Sequence, residues 1–377
     1  MNSQNRLGAL DGLRGAMSLW VLLGHTCAFT GMNFIPVLRS PHYAVDGFMI
    51  LSGFLMAYHY LLRAEKEPWT KPRTWTTFYI RRFFRLSPLY YLLLIPAYLL
   101  KAQYDHWKAV VETVVDVAQR APDNPAVTWQ HVALHISYLF GLSPTYHASL
   151  VLPDWSLSLE MQFYLVFPFL MLFVLRFGWI AFSLVCTGVW LVSSSSYLGY
   201  AQQFVQPSPL VLSLIWFVIG MLWAAAHLAG DTPASRKKVL LACGLSLLSR
   251  DIHDVILVVV FAWVIFGSGR LLLGGTLPYL RRLLSNRFSA LLADASYSVY
   301  LLHLLILTPI AFLLCTQFHM ASVARFLAAA ILTMAISYGL ARPLELLENA
   351  GIKLGKRLSP TRSRLVPAAN PSVGLPV

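Results

Sequence analysis

Residues 10–29 read LDGLRGAMSLWVLLGHTCAF and form the first of several long apolar runs in the chain. Arg14 and His25 lie inside this run, whereas most other charges lie between such runs. An arginine at the centre of a membrane helix costs about 2.5–3.5 kcal/mol on insertion scales, so we expect a buried residue of this kind to serve a function. At about 100° and about 1.5 Å per residue, the two side chains share one helix face and lie roughly 16 Å apart.

The composition indicates a membrane protein rather than a soluble one. The 377 residues are 57% hydrophobic and 12% charged, whereas soluble domains carry about 25% charged residues. A helix needs roughly 17–25 residues to cross a bilayer. We therefore predict an all-α, polytopic membrane protein with about ten transmembrane helices, at residues 10–29, 43–62, 83–100, 155–175, 179–198, 209–228, 239–249, 255–272, 296–316 and 323–347. The seventh of these is short enough to be a tilted or re-entrant segment instead.

The basic residues predict the orientation of the chain. If the N-terminus is cytoplasmic, most of the 29 Lys and Arg residues fall in cytoplasmic loops, as the positive-inside rule requires. We predict that both termini are cytoplasmic, that residues 1–350 form one transmembrane domain and that residues 351–377 form a short, basic, disordered tail. The net charge of +13 then reflects topology and attraction to the inner leaflet, so no nucleic-acid partner is expected.

Five local patterns place polar residues at the ends of predicted spans. They are LDGLRG at 10–15 with His25, VDGFMILSGF at 45–54, FYIRRFFRLSP at 78–88, DWSLSLEMQFY at 154–164 and ASYSVYLLH at 295–303. In this order they closely resemble the acyltransferase-3 family of bacterial integral-membrane O-acyltransferases, over nearly the whole chain. The most specific parts are the spacing of Arg14 and His25, the RRxxR that ends at Arg85 and the WSLxxE that ends at Glu160.

The resemblance implies an enzyme of the bacterial cytoplasmic (inner) membrane that moves an acyl group, most often acetyl, from acyl-CoA to a hydroxyl. It implies a carbohydrate or lipid-linked glycan acceptor at the outer face of the membrane, with a secondary metabolite as the alternative. Acyl-CoA would be a substrate, so no permanently bound cofactor is expected. His131 and His135 are four residues apart, but no glutamate follows in a zinc-protease pattern, so no metal site is expected.

Three titratable residues are predicted to share one depth near the outer face. His25, Asp46 and Glu160 each lie roughly three to five residues inside the outer end of a predicted span. An imidazole and a carboxylate within hydrogen-bond reach can deprotonate a sugar hydroxyl. We predict His25 as the base and Glu160 as the carboxylate that orients it or exchanges roles with it. Trp155 is either an interfacial tryptophan or a platform for a sugar ring, and His303 is either a packing residue or part of the site.

A second group of residues is predicted to bind the donor near the cytoplasmic face. Arg82 and Arg85 are i,i+3 neighbours that can face one anion, and guanidinium groups suit the phosphates of coenzyme A. Arg14 lies between that pair and His25. The separation of Arg14 and His25 is comparable to the length of an extended pantetheine chain. We expect Asp11 to pair with Arg14 and to lower the cost of burying it.

Ser52 and Gly53 in the second span have two interpretations. Their small side chains can make room for the thin pantetheine chain of the donor. They can equally serve helix packing, since small residues let two membrane helices approach closely. The sequence leaves both interpretations open.

Two alternatives to direct acyl transfer also stay open. The acyl group could pass through a covalent acyl-histidine at His25. The chain could instead be a transporter or flippase for a glycan or lipid, in which the buried Arg, His and Glu bind substrate or relay protons. No recognisable pattern encodes the oligomeric state.

Overall fold

The computed structural model describes residues 3–32, 35–116, 125–266 and 282–360. Every regular element in these ranges is helical, which confirms the all-α prediction. The α-helices are α1 (Ser3–Thr30), α2 (His42–Arg63), α3 (Pro72–Leu99), α4 (Lys101–Val114), α5 (Trp129–Ile136), α6 (Trp155–Ser194), α7 (Leu210–Leu228), α8 (Pro233–Ser246), α9 (Ile252–Phe266), α10 (Arg287–Gln317) and α11 (Ser322–Leu358). Short 3-10 helices lie between α5 and α6, between α6 and α7, and after α8.

Five of these helices are long and apolar enough to cross a membrane, namely α2, α6, α7, α10 and α11. A sixth span results if α3 and α4, which are bent by 74° at their junction, count as one. Helix α1 is not among them, because Arg14 and His25 lower the mean hydropathy of its apolar stretch. The described residues thus form a multi-pass membrane protein with five or six such helices, fewer than the ten spans predicted.

The predicted spans 155–175 and 179–198 fall on the two halves of α6, which Gly178 separates with a non-helical φ of 80°. The prediction and the structure differ at two places. The predicted span 239–249 begins in α8, which has 14 residues and is too short to cross a membrane, and ends in the 3-10 helix after it. The predicted span 255–272 begins in α9, and its part beyond residue 266 lies outside the described residues.

Small residues set the closest helix contacts in the bundle. Helix α2 packs along α7, and α1 packs along α10. A Cβ atom added to Gly53 would collide with the carbonyl oxygen of Phe217, and one added to Gly220 would collide with that of Ile50. This mutual contact needs glycine on both helices, because a methyl group would force the backbones apart.

The last helix continues beyond the predicted domain boundary. Helix α11 ends at Leu358, so residues 351–358 are helical, although a disordered tail was predicted from residue 351. Gly351 and Gly355 in this part are buried, which indicates that the extension packs against the bundle. The predicted tail from residue 361 onward lies outside the described residues.

We expect Gly53→Ala to lower the unfolding temperature of the protein in detergent, since the new methyl group would overlap the Phe217 carbonyl oxygen. Overpacking of this kind typically costs about 1–3 kcal/mol. Gly188 in α6 provides the matched control, because nothing lies within 4 Å of its Cβ position. Gly188→Ala should leave stability unchanged or raise it slightly through helix propensity. Equal unfolding temperatures for both variants would contradict the close α2–α7 packing.

Candidate functional site

Two cavities lie at opposite ends of α2, whose 22 residues span about 33 Å. The first, the histidine cavity, has a volume of about 550 Å³ and is lined by residues that include His25, Arg39, Lys108, Trp155 and Thr308. The second, the arginine cavity, has a volume of about 310 Å³ and is lined by residues that include Arg63, Arg81, Arg82, Arg85 and Lys356. The two cavities separate the predicted site residues into two groups.

The wall of the histidine cavity brings together His25 from α1 and Trp155 from the first turn of α6. Lys108 of α4 lies within electrostatic reach of the His25 ring. Arg39, in the connection between α1 and α2, is exposed on the same wall. The cavity therefore combines an imidazole, aromatic rings, two cations and the carboxylates of Asp105 and Glu112, a set that suits a polar molecule.

His25 is held through one of its two ring nitrogens. Its Nδ1 atom lies 3.0 Å from the carbonyl oxygen of Val21 and 3.1 Å from Nε2 of His303. His303 is fully buried in α10, and its own Nδ1 lies 2.7 Å from the carbonyl oxygen of Tyr300. The structure thus brings together His25 and His303, which the sequence could place only in separate spans.

The carbonyl partners fix where the hydrogens lie on this histidine pair. A carbonyl oxygen only accepts, so Nδ1 of His303 must carry a hydrogen, and Nε2 of the neutral ring is then an acceptor. Nδ1 of His25 also faces a carbonyl, so its hydrogen is shared between Val21 and His303. The lone pair of His25 therefore lies on Nε2, the form that a general base requires.

Glu160 lies elsewhere, which corrects the prediction that it contacts His25. One of its oxygens, Oε1, accepts a hydrogen bond of 3.1 Å from Ser52 Oγ and another from the hydroxyl of Tyr164. Among the residues that the structure describes, Glu160 makes no hydrogen bond or ion pair with His25. The physical reason is the direction in which the side chain points, not its depth. Glu160 follows Trp155 by five positions, so it points roughly 140° around the helix from Trp155 and away from the histidine cavity.

Glu160 and its partners lead toward the arginine cavity instead. The guanidinium carbon of Arg82 lies 5.3 Å from the centre of the Tyr164 ring, a cation–π contact. Arg82 and Arg85 both lie within electrostatic reach of Glu160 and line the arginine cavity. Tyr164 was not predicted, although its position four residues after Glu160 places the two on one helix face and could have indicated the contact.

The arginine cavity is strongly basic. Its lining includes one carboxylate, Glu67, and five cationic side chains, those of Arg63, Arg81, Arg82, Arg85 and Lys356. Glu67 Oε1 lies 3.4 Å from Arg81 Nη1, so the negative charge of Glu67 is partly offset by Arg81. Aromatic rings of Tyr60, Trp69 and Phe78 form the rest of one wall. Arg82 and Arg85 were predicted to face one anion together, and both line this cavity.

Arg14 is anchored to α10 rather than left free. Its Nε donates to Ser296 Oγ at 3.0 Å, and its Nη2 donates to the carbonyl oxygen of Ala293 at 3.0 Å. Asp11 Oδ1 lies 4.0 Å from Nη2, so the predicted Asp11–Arg14 pair is present. Arg85 lies within electrostatic reach of Arg14. Arg14 thus lies beside the arginine cavity without belonging to its wall.

Two residues predicted for the site serve other contacts. Gly53 faces the backbone of α7 at Phe217, so it leaves no room there for a pantetheine chain. Asp46 lies within electrostatic reach of Asp254 on α9, away from the partners of His25. Asp46 had been assigned from its depth along a helix, and depth does not define which neighbour a side chain faces. For Gly53, the contact with Phe217 favours the helix-packing interpretation. Ser52 keeps a polar role through its bond to Glu160.

A buried carboxyl and a buried imidazole lie behind the histidine cavity, outside the helices that could cross a membrane. Asp154 Oδ2 accepts a hydrogen bond of 3.1 Å from Tyr90, and Nε2 of His135 lies 3.7 Å from the same oxygen. Burial raises the pKa of Asp154 to about 8 and lowers the pKa of His135 to about 3, because neither charged form is hydrated there. Near neutral pH both groups are uncharged and support the chain just before Trp155.

Comparisons with known proteins agree on one class. A family model described as an acyltransferase domain matches residues 7–342. A protein named "Putative O-acetyltransferase" from Staphylococcus aureus (strain COL) is 23% identical over 336 residues, 79% of this chain and 50% of that protein. "Nose resistant to fluoxetine protein 6" from Caenorhabditis elegans is 26% identical over 119 residues, 25% of this chain and 14% of that protein. The chain spans about half the length of the S. aureus relative. No solved structure matches the chain.

We expect the stability of the protein to fall as the pH rises from about 6.5 to about 8. The folded protein keeps a proton on Asp154 up to pH about 8, whereas the unfolded chain loses it above about 4, so rising pH favours unfolding. His135 opposes this trend only below about 6.5, where the unfolded chain binds a proton that the folded protein excludes. Between the two limits His135 no longer opposes the effect of Asp154.

Unfolding temperatures measured across this pH window test the prediction. Asp154→Asn should flatten the decrease, since an amide does not titrate. Asp251→Asn is the control: hydrogen bonds from Tyr43 and from the His253 backbone lower the pKa of Asp251 to about 2, so it is charged throughout the window. A decrease that persists unchanged in Asp154→Asn would show that another group causes it.

Proposed function

Because the chain belongs to the acyltransferase family whose model matches residues 7–342, we propose that it is a membrane O-acyltransferase, most simply an O-acetyltransferase. It moves an acyl group from cytoplasmic acyl-CoA to a hydroxyl of a glycan or glycolipid at the outer face of the cytoplasmic membrane. One observation carries the proposal: His25 lines one cavity with a free Nε2, while a separate basic cavity lies at the other end of α2.

The proposed orientation assigns each cavity to one side of the membrane. With the N-terminus cytoplasmic and α1 crossing the membrane, α2 runs back toward the cytoplasm, so the arginine cavity at its C-terminal end opens to the cytoplasm and the histidine cavity to the outer face. The positive-inside rule supports this choice, because the basic lining of the arginine cavity belongs on the cytoplasmic side. An intracellular donor and an extracytoplasmic acceptor would then enter from opposite sides.

The donor site is assigned to the arginine cavity. Arg82 and Arg85 bind the pyrophosphate of coenzyme A, for which guanidinium groups provide matching hydrogen-bond geometry. Glu160 holds Tyr164 beneath Arg82, and its charge lowers the cost of placing two arginines side by side. The pantetheine chain runs from there past Arg14, which is fixed to α10, toward His25.

The reaction is a direct transfer at His25. Nε2 takes the proton of the acceptor hydroxyl while the hydroxyl oxygen attacks the carbonyl carbon of the thioester. The tetrahedral intermediate collapses, the carbon–sulfur bond breaks, and the proton on Nε2 passes to the departing sulfur. The products are an acyl ester of the acceptor and coenzyme A with a free thiol.

His303 is the positioning residue for the base. Its Nε2 accepts from Nδ1–H of His25, so it holds the ring in the tautomer that presents Nε2 and it supports the imidazolium formed during transfer. This replaces the role that the sequence had suggested for Glu160. Trp155 is assigned to the acceptor, because its indole lines the same cavity as His25 and a sugar ring can pack on it.

We expect His25→Ala to lower acyl transfer by about 10²–10⁴-fold, the usual contribution of a general base. Proteoliposomes with labelled acyl-CoA and a crude glycan acceptor provide the measurement. His319→Ala is the control, since His319 is exposed between α10 and α11. Transfer at the wild-type rate in His25→Ala would overturn the proposal, and acceptor movement across the bilayer without donor would favour a transporter. A labelled adduct on His25 with donor alone would favour the covalent route.

We expect His303→Ala to lower kcat by about tenfold with little change in the KM of the donor, and to shift the pH dependence of the rate. His303→Gln should keep part of the activity that His303→Ala loses, because a glutamine carbonyl oxygen can accept a hydrogen bond from His25 Nδ1–H. Steady-state kinetics over pH 6–9 separate this role from a packing role. If His303→Gln and His303→Ala lose the same activity with an unchanged pH profile, His303 only fills space.

A further inference from the structure

The C-terminal part of α11 lies beyond the matched family domain. The family match ends at residue 342, whereas α11 continues to Leu358. We call residues 343–358 the α11 extension. Glu348, Ile352 and Lys356 are spaced four residues apart, so they share one face of this extension. That face meets the arginine cavity.

Close packing fixes the α11 extension against α3, the helix that carries Arg82 and Arg85. A Cβ atom on Gly351 would lie 2.5 Å from the carbonyl oxygen of Phe84, and one on Gly355 would lie 2.9 Å from Phe84 Cβ. Just after the helix, Ser359 Oγ accepts a hydrogen bond of 3.3 Å from Arg81 Nε. The extension is therefore held at a defined height along α3.

The shared face supplies groups at two levels of the donor site. Glu348 lies within electrostatic reach of both Arg14 and Arg85. Ile352 and Lys356 line the arginine cavity. Lys356 is eight residues from Glu348, about 12 Å further along the helix axis. Lys356 thus lies at the rim of the cavity, whereas Arg85 lies at the deeper level.

The charge of Lys356 is not offset by the cavity wall. Glu67, the carboxylate of the wall, pairs with Arg81. Within residues 3–32, 35–116, 125–266 and 282–360, Lys356 makes no ion pair. A flexible ammonium group that is exposed at the rim of a basic cavity is suited to bind a phosphate that projects toward solvent.

We propose that Lys356 binds the 3′-phosphate of the coenzyme A donor, so that the α11 extension forms part of the donor site. The inference rests on the proposed function. Coenzyme A carries a pyrophosphate next to its pantetheine chain and a separate phosphate on the ribose. Arg82 and Arg85, at the deep level, take the pyrophosphate, and the ribose phosphate then points back to the rim where Lys356 lies.

The test compares acetyl-CoA with acetyl-dephospho-CoA, which lacks only the 3′-phosphate. The wild type should prefer acetyl-CoA by about tenfold in kcat/KM, as expected for loss of one charge-assisted contact. Lys356→Gln should bring this preference close to one by weakening acetyl-CoA alone, and Lys356→Arg should keep it. Lys353→Gln is the matched control, because Lys353 is an exposed lysine of the same helix that does not line the cavity.

Each outcome separates the inference from the proposed function. Both donors are measured on one protein preparation, so a folding defect in a variant does not alter the ratio. A wild type without preference, or a Lys356→Gln variant that keeps the preference, overturns the inference and leaves the proposed function in place. A wild type that accepts neither donor overturns the proposed function itself.

Discussion

The polar side chains of α1 must find partners inside the helix bundle, and the rest of the site depends on that constraint. In an apolar environment an unpaired polar group is costly, so α1 can be buried only beside a helix that satisfies it. Helix α10 does so at three heights, through Ser296 and Ala293 for Arg14, the Ser296 carbonyl for Ser18, and His303 for His25. These contacts set the register of α1 against α10 and, with it, the tautomer of His25.

The two cavities are built on different helices. The histidine cavity is lined by α1, α4, α10 and the first turn of α6, whereas the arginine cavity is lined mainly by α2, α3 and the end of α11. Helix α6 connects them, since Trp155 lines one cavity and Glu160 reaches the network beside the other. Two separate cavities are what the proposed transfer across the membrane requires.

The sequence predicted contacts within one helix better than contacts between helices. Asp11 pairs with Arg14, and Arg82 and Arg85 line one cavity, as expected of them. Glu160 and Gly53 do not, because residue spacing gives height along a helix but not the helix that lies opposite. The α11 extension was missed because the tail was judged by its basic, Pro- and Ser-bearing composition, which does not reveal that Gly351 and Gly355 pack against α3. His303 stayed ambiguous for the same reason, since its partner lies 278 residues away.

That separation has a consequence for biogenesis. His303 is synthesised 278 residues after His25. Until α10 inserts, Arg14 and His25 lack the partners that satisfy them, so α1 depends on the insertion machinery or on a shallow position in the lipid. The His25 ring therefore gains the partner that fixes its tautomer only after α10 has inserted.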